Sequence, residues 1–170
     1  MCYDLRIASP LTLSEVRSML PPGIAADALP AADLARLRTL LPSAQTAAHL
    51  RAGPCSCDLV RPRHADRRED ERDLRQRYSR LGLSRDRIIG ELERHRRHAA
   101  PSAPPGGWGA ALAAFVAEHA RNAGTTLYHL TFQPGAPPAR GTPPLTRTVA
   151  QVRAGPGAWL PEGAPVLVVR

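Results

Sequence analysis

The chain has 170 residues, 43% hydrophobic and 4% aromatic, with 18 prolines and 13 glycines; that length holds one core and requires no second domain. Its formal charge is +8, and all 23 basic residues are arginine with no lysine, so the excess reflects coding composition as readily as an anionic partner. Three cysteines do not make a disulfide scaffold, no stretch reaches the roughly 20 apolar residues of a membrane span, and no signal peptide is visible; the expectation is a cytoplasmic protein with no membrane partner.

Tyr3 to Ser9 alternates, with Tyr3, Leu5 and Ile7 on one face and Asp4, Arg6 and Ala8 on the other, which predicts a half-buried strand. Thr12 and Glu15 have the spacing of a capping box, and Leu11 and Val16 that of a hydrophobic staple. A helix over Leu13 to Leu20 follows, stopped by Pro21-Pro22-Gly23. A second helix, Ala31 to Leu41, places Leu34, Leu37 and Leu41 on one stripe. Gln45 to Arg51 alternates loosely as a strand that Gly53-Pro54 ends.

Cys55-Ser56-Cys57-Asp58 comes next. If this stretch stays extended, Cys55, Cys57 and Leu59 share a face. Their Cβ atoms are then roughly 6.5 Å apart, too far for a disulfide but open to a shared metal. A nucleophilic or redox cysteine needs its thiolate stabilised by nearby positive charge and a base, and Asp58, His49 and Arg51 lie within a few residues. Cys55, Cys57, Asp58 and His49 are therefore the candidate catalytic residues of a thiol-centred site. Asp58 orients or accepts a proton, and His49 or His129 acts as base. Cys2-Tyr3-Asp4-Leu5 loosely echoes Cys57-Asp58-Leu59, and pairing of those strands makes Cys2, Cys55 and Cys57 the candidate metal ligands, with no particular metal or cofactor indicated. The bland alternative is that the cysteines are small apolar residues at a strand end.

Residues 61–98 carry thirteen arginines and eight acids, with pairs such as Arg67 and Glu71 or Glu93 and Arg97 four apart. That pattern predicts a solvated helical insertion. Within it, Tyr78-Ser79-Arg80-Leu81-Gly82-Leu83-Ser84-Arg85-Asp86-Arg87-Ile88-Ile89-Gly90-Glu91-Leu92 resembles the helix-turn-helix of bacterial regulators over about fifteen residues. The resemblance implies a turn at Leu81 to Ser84, Ser84 as cap of the second helix, and Arg85, Arg87 and Arg94 facing phosphates or bases. Nucleic acid, held by the helix pair at 66–98, is thus the alternative partner. Tyr78 stands where that motif has a small residue, and Asp86 and Glu91 add negative charge.

A Pro/Gly/Ala-rich linker at 99–107 precedes a helix from Gly109 to Ala123, with Leu112, Phe115, Val116 and His119 on one face. Thr125 to Phe132 is the strongest later strand, with Tyr128, Leu130 and Phe132 on one side and His129 on the other. A proline-rich loop at 134–144 leads to strands over Leu145 to Arg153 and Pro165 to Arg170. Met1-Cys2 resembles the start of class II glutamine amidotransferases, whose N-terminal cysteine is the nucleophile, although Tyr3 replaces the small residue usual there. The order of elements predicts an α+β fold in a single domain: one mostly antiparallel sheet covered by helices on one face, with a ferredoxin-like core as first expectation. The Arg-rich helical hairpin is expected between the second and third strands.

Overall fold

The computed structural model describes residues 3–53, 56–60, 71–98, 107–132, 143–156 and 158–170. The fold is α+β, with one six-stranded, mostly antiparallel sheet. Its elements run β1 (Asp4–Ser9), α1 (Leu13–Ser18), β2 (Ile24–Ala28), α2 (Ala31–Arg38), β3 (Thr46–Ala52), α3 (Cys57–Val60), α4 (Glu71–Arg80) and α5 (Arg85–His98). They continue with α6 (Gly107–Ala123), β4 (Thr125–Thr131), β5 (Leu145–Thr148), α7 (Val149–Ala154) and β6 (Pro165–Val169).

The strand order is β2-β3-β1-β4-β6-β5. β3 and β4 both run antiparallel to β1 and flank it, and β2 is antiparallel to β3. The first four strands therefore interleave two split β-α-β crossovers, the strand order of a ferredoxin-like sheet, with α2 added between β2 and β3. β5 and β6 extend this sheet beyond β4 and are parallel to each other, and parallel neighbours need a crossover such as α7. The helical hairpin lies between the third and fourth strands, β3 and β4, rather than the second and third, because β2 carries no strand pattern of its own and is not counted in the sequence order.

Alternation along β1 divides the molecule into two cores. Tyr3, Leu5 and Ile7 join Ala48 and Leu50 of β3, Tyr128 and Leu130 of β4, and Val166 and Val168 of β6 on one face. Phe115, Val116 and Ala120 of α6 cover that face, with Val16 of α1, Leu59 of α3 and Val152 of α7. The other face is not left to solvent: Leu37 and Leu41 pack on Ala8, Ala47 and Leu127 in a second core. Helices thus lie on both faces rather than one, and all six residues of β1 are buried.

Local signals explain most elements. Thr12 and Glu15 form the expected capping box at α1. A second box, Thr148 with Gln151, starts α7, so the segment expected to be a single strand from Leu145 to Arg153 turns into helix after four residues. α4 ends at Gly82, whose φ of 72° is left-handed; Gly82 N–H donates to Ser79 O and Leu83 N–H to Tyr78 O, the two bonds of a Schellman stop. Ser84 then caps α5 by accepting from Arg87 N–H at 3.4 Å.

Candidate functional site

Following the register across the second face gives one polar row. Asp27 pairs with His49, His49 with Arg6, Arg6 with His129, and His129 with Pro165, one residue from each of five adjacent strands. Asp4 and Thr131 stand opposite each other two residues further along, which places them on the same face. Asp4, Arg6, His129 and Thr131 are all buried. Buried charges persist only when paired, and here Arg6 Nε–H donates to Asp4 Oδ2 at 2.7 Å while Arg6 Nη1 lies 3.6 Å from Asp33 Oδ1 of α2.

His49 Nε2 is 3.1 Å from the other oxygen of the same carboxylate, Asp4 Oδ1, and 2.8 Å from Ser56 Oγ. A carboxylate only accepts, so the proton sits on Nε2. Ser56, Asp4 and His49 match the residue types of a Ser-His-Asp triad, but a triad uses the two ring nitrogens separately. Here both partners meet the same nitrogen. The Ser56 hydroxyl also donates to Leu50 O at 2.6 Å and accepts from Leu5 N–H at 3.0 Å, and the residue is fully buried. Ser56 is a clamp between two paired backbone positions of β1 and β3, Leu5 and Leu50, rather than a nucleophile.

His129 is different. It is 1% exposed; among the described residues neither Nδ1 nor Nε2 meets a partner at full hydrogen-bond geometry, and the Gly163 backbone is close enough to favour its proton. Burial pushes the ring below the ordinary histidine value and the charge on Arg6 adds to that, while the Gly163 backbone and the Asp4 carboxylate oppose it. It is therefore a neutral imidazole near neutral pH, with one N–H that reaches toward the Gly163 backbone short of full hydrogen-bond geometry and one lone pair with no donor among the described residues. At the rim, Arg51 Nε–H donates to Asp27 Oδ2, and that hydrogen bond holds the Asp27 carboxyl below the usual carboxylate range.

A second histidine shows what a satisfied one looks like in this fold. His119 of α6 has Nδ1 at 2.7 Å from Tyr128 Oη and Nε2 at 2.7 Å from Ser9 Oγ, and Phe115 stacks on it. Burial lowers its pKa to about 4 and raises that of Tyr128. This network ties α6 to β1 and β4 within the larger core.

Of the residues of the thiol reading, the structure describes the side chains of Cys57, His49 and His129. The stretch at Cys57 is not extended but opens the short helix α3, because β3 ends at Ala52 and Gly53 takes a left-handed φ of 72°. Cys57 is a half-buried thiol whose sulfur accepts Tyr3 N–H at 3.3 Å, and it packs against the larger core. His49, the base expected to serve it, is engaged on Asp4 and Ser56 from the opposite face. Asp58 lies in the backbone of α3, while its side chain, together with Cys2 and Cys55, falls outside the described residues. Among the described residues no group of three His, Cys, Asp or Glu side chains is placed to hold a metal, and no helix is long and apolar enough to cross a membrane.

The hairpin forms as expected, with Leu74 and Leu92 buried and Arg85, Arg87 and Arg94 exposed. These three arginines do not share a face. Two residues apart on a helix are about 200° around it, so Arg85 and Arg87 point oppositely, whereas Arg87 and Arg94, seven apart, align. Arg94 is also bound to Glu91 at 3.1 Å.

Of the polar row, the sequence points to His49 and to His129 on the free side of its strand. It does not point to Ser56, and it assigns Asp4 and Arg6 to a solvent face. The signal available was the Asp-x-Arg spacing on a strand, which places opposite charges on one side of the pleat. No known protein family and no curated protein matches this chain, and no solved structure matches it.

Proposed function

We propose that the protein binds a small polar molecule on the α2 side of the sheet, over Arg6 and His129, and that His129 exchanges a proton with it. The observation that carries this reading is the buried imidazole of His129, neither of whose nitrogens meets a partner at full hydrogen-bond geometry among the described residues. Leaving a polar group buried and unpaired costs about 1–3 kcal/mol, and such groups in native folds call for a specific reason. A neutral imidazole beside a fixed guanidinium is suited to acid–base work: the ring gives or takes the proton, and the cation steadies developing negative charge. Arg6 is held for that role by Asp4, which His49 steadies from the other oxygen.

Stability tests the reading directly. Replacing His129 with Phe or Leu removes the unpaired groups, and both substitutions are expected to raise the unfolding free energy by about 1–3 kcal/mol, the sign expected where a polar group serves function rather than folding. Two replacements of different size separate this effect from overpacking. Denaturant unfolding of the full chain reads the result, and a loss of stability in both variants would overturn the proposal by showing that the ring is structurally satisfied.

A further inference from the structure

The Arg6 guanidinium is buried, with 7% of its side chain exposed. It has five N–H donors. Among the described residues one is hydrogen-bonded, Nε–H to Asp4 Oδ2 at 2.7 Å. The next nearest anion, Asp33 Oδ1, sits 3.6 Å from Nη1, beyond hydrogen-bond length, and is shared with Arg36 Nη1 at 3.8 Å. Asp33 belongs to α2, whose N-cap is Pro30 with no side-chain cap and whose one buried residue is Leu37. The carboxylate facing Arg6 is therefore loosely placed on a thinly anchored helix, while the guanidinium fork beside it holds donors unused among the described residues and has the buried His129 ring as cross-strand neighbour.

We infer that the ligand of this site carries a carboxylate, and that Asp33 is an internal stand-in for it, displaced from Arg6 when the ligand binds. The assignment rests on the ligand site proposed above and names its chemistry. A guanidinium fork matches a carboxylate in two parallel hydrogen bonds, and the N–H of the neutral His129 ring supplies a further donor. Charge selects carboxylate over phosphate. Exchanging the Asp33 carboxylate for that of a ligand leaves the charge around Arg6 unchanged, whereas a phosphate dianion adds a second negative charge close to Asp4 in a medium that screens poorly. The occupant is a small molecule, since Leu34 and Leu37 of the same helix pack on the adjoining rows of the sheet.

The experiment follows the His129 ring by NMR in the full chain, identified by its loss in His129→Phe, during titration with succinate, with its neutral counterpart succinamide, and with inorganic phosphate. Succinate is expected to move the His129 signals saturably, and Asp33→Asn, which removes the competing charge and keeps the shape, is expected to bind succinate at least about tenfold tighter, as for any internal ligand removed from its own site. Succinamide and phosphate are expected to bind more weakly than succinate in both proteins. Succinate binding no tighter to Asp33→Asn than to the unchanged chain overturns the stand-in role. If succinamide or phosphate moves the ring as readily as succinate, the carboxylate assignment falls and the ligand site stands. If none of the three moves it in either protein, the carboxylate assignment falls as well, and the stability of His129→Phe decides separately whether the site falls with it. Comparing succinate with succinamide in the unchanged chain decides the carboxylate assignment even if Asp33→Asn weakens α2.

Discussion

His119 makes the folded state sensitive to acid. Its ring is fully buried between Ser9 and Tyr128, and burial lowers its pKa from 6.5 to about 4. In the unfolded chain the ring takes a proton as pH falls through about 6.5, while the folded ring stays neutral until pH reaches about 4. Between those values the unfolded state binds more protons, so stability falls as pH falls. The full shift corresponds to about 3 kcal/mol, of which about 2 kcal/mol is gone by pH 5 and nearly all by pH 4. Above pH 7 the contribution is flat. Urea unfolding of the unchanged chain and of His119→Gln, at intervals from pH 7.5 to 4, isolates the effect, since Gln keeps polar atoms in the site but does not titrate. The variant is expected to be less stable at pH 7, because two buried hydrogen bonds of good length are disturbed. Its stability is also expected to decline less steeply toward pH 4, by about 3 kcal/mol over the range. His129 titrates in both proteins and cancels in the difference. Parallel curves would refute the reasoning, since they would mean that the folded ring takes its proton as easily as the unfolded one.

Two further predictions test local parts of the argument. Ser56→Ala leaves Leu5 N–H without an acceptor and Leu50 O without its donor in the buried end of the β1 and β3 ladder, and a loss of about 2–4 kcal/mol is expected in denaturant unfolding; a loss under about 0.5 kcal/mol would mean that water replaces the hydroxyl. In the hairpin, two glycines with open space around them have opposite roles: Gly82→Ala, at a φ of 72°, is expected to weaken the α4 stop by about 1 kcal/mol, whereas Gly90→Ala inside α5 is expected to strengthen that helix by up to about 1 kcal/mol, both read from amide exchange across residues 74–94.

The fold was legible where a segment carried its own signal. The capping box at Thr12, the proline stop after α1, the Leu34 and Leu37 stripe and the strand character of β1 and β4 are local, and all appear as expected, although β1, expected to be half-buried, is buried on both faces. β2 was not legible. Ile24-Ala-Ala-Asp-Ala has one β-branched residue, and its conformation comes from pairing with β3, which no local pattern announces. α7 is hidden for a different reason: Thr146, Thr148, Val149 and Val152 favour strand by composition, and that signal outweighs the spacing of the Thr148 and Gln151 box. The candidate site is hidden in the same way as β2. Nothing in Asp4-Leu5-Arg6-Ile7 states that both faces of the strand are covered; that follows from α2 folding back across the sheet, and a solvent face for Asp4 and Arg6 is the ordinary inference from alternation.

That burial is also the reason to look for chemistry there. On β1 the same backbone presents Leu5 and Ile7 to one core and Asp4 and Arg6 to the other side. Breaking such a buried pair by removing one partner costs about 3–5 kcal/mol, yet replacing both with apolar residues of similar volume is often neutral or stabilising. Ala8, Ala47 and Leu127, two residues along the same strands, show that this face accepts apolar side chains under α2. The polar row is therefore not what packing alone requires at this depth in the sheet. Its residues also differ in how fully they are satisfied, since Asp4 has both oxygens engaged while His129 meets no partner at full hydrogen-bond geometry among the described residues. A row built only for stability would distribute its hydrogen bonds to all members. This one fixes Asp4, Arg6 and His49 and leaves His129 open, the division of labour expected where a rigid charged frame presents one reactive ring to a ligand.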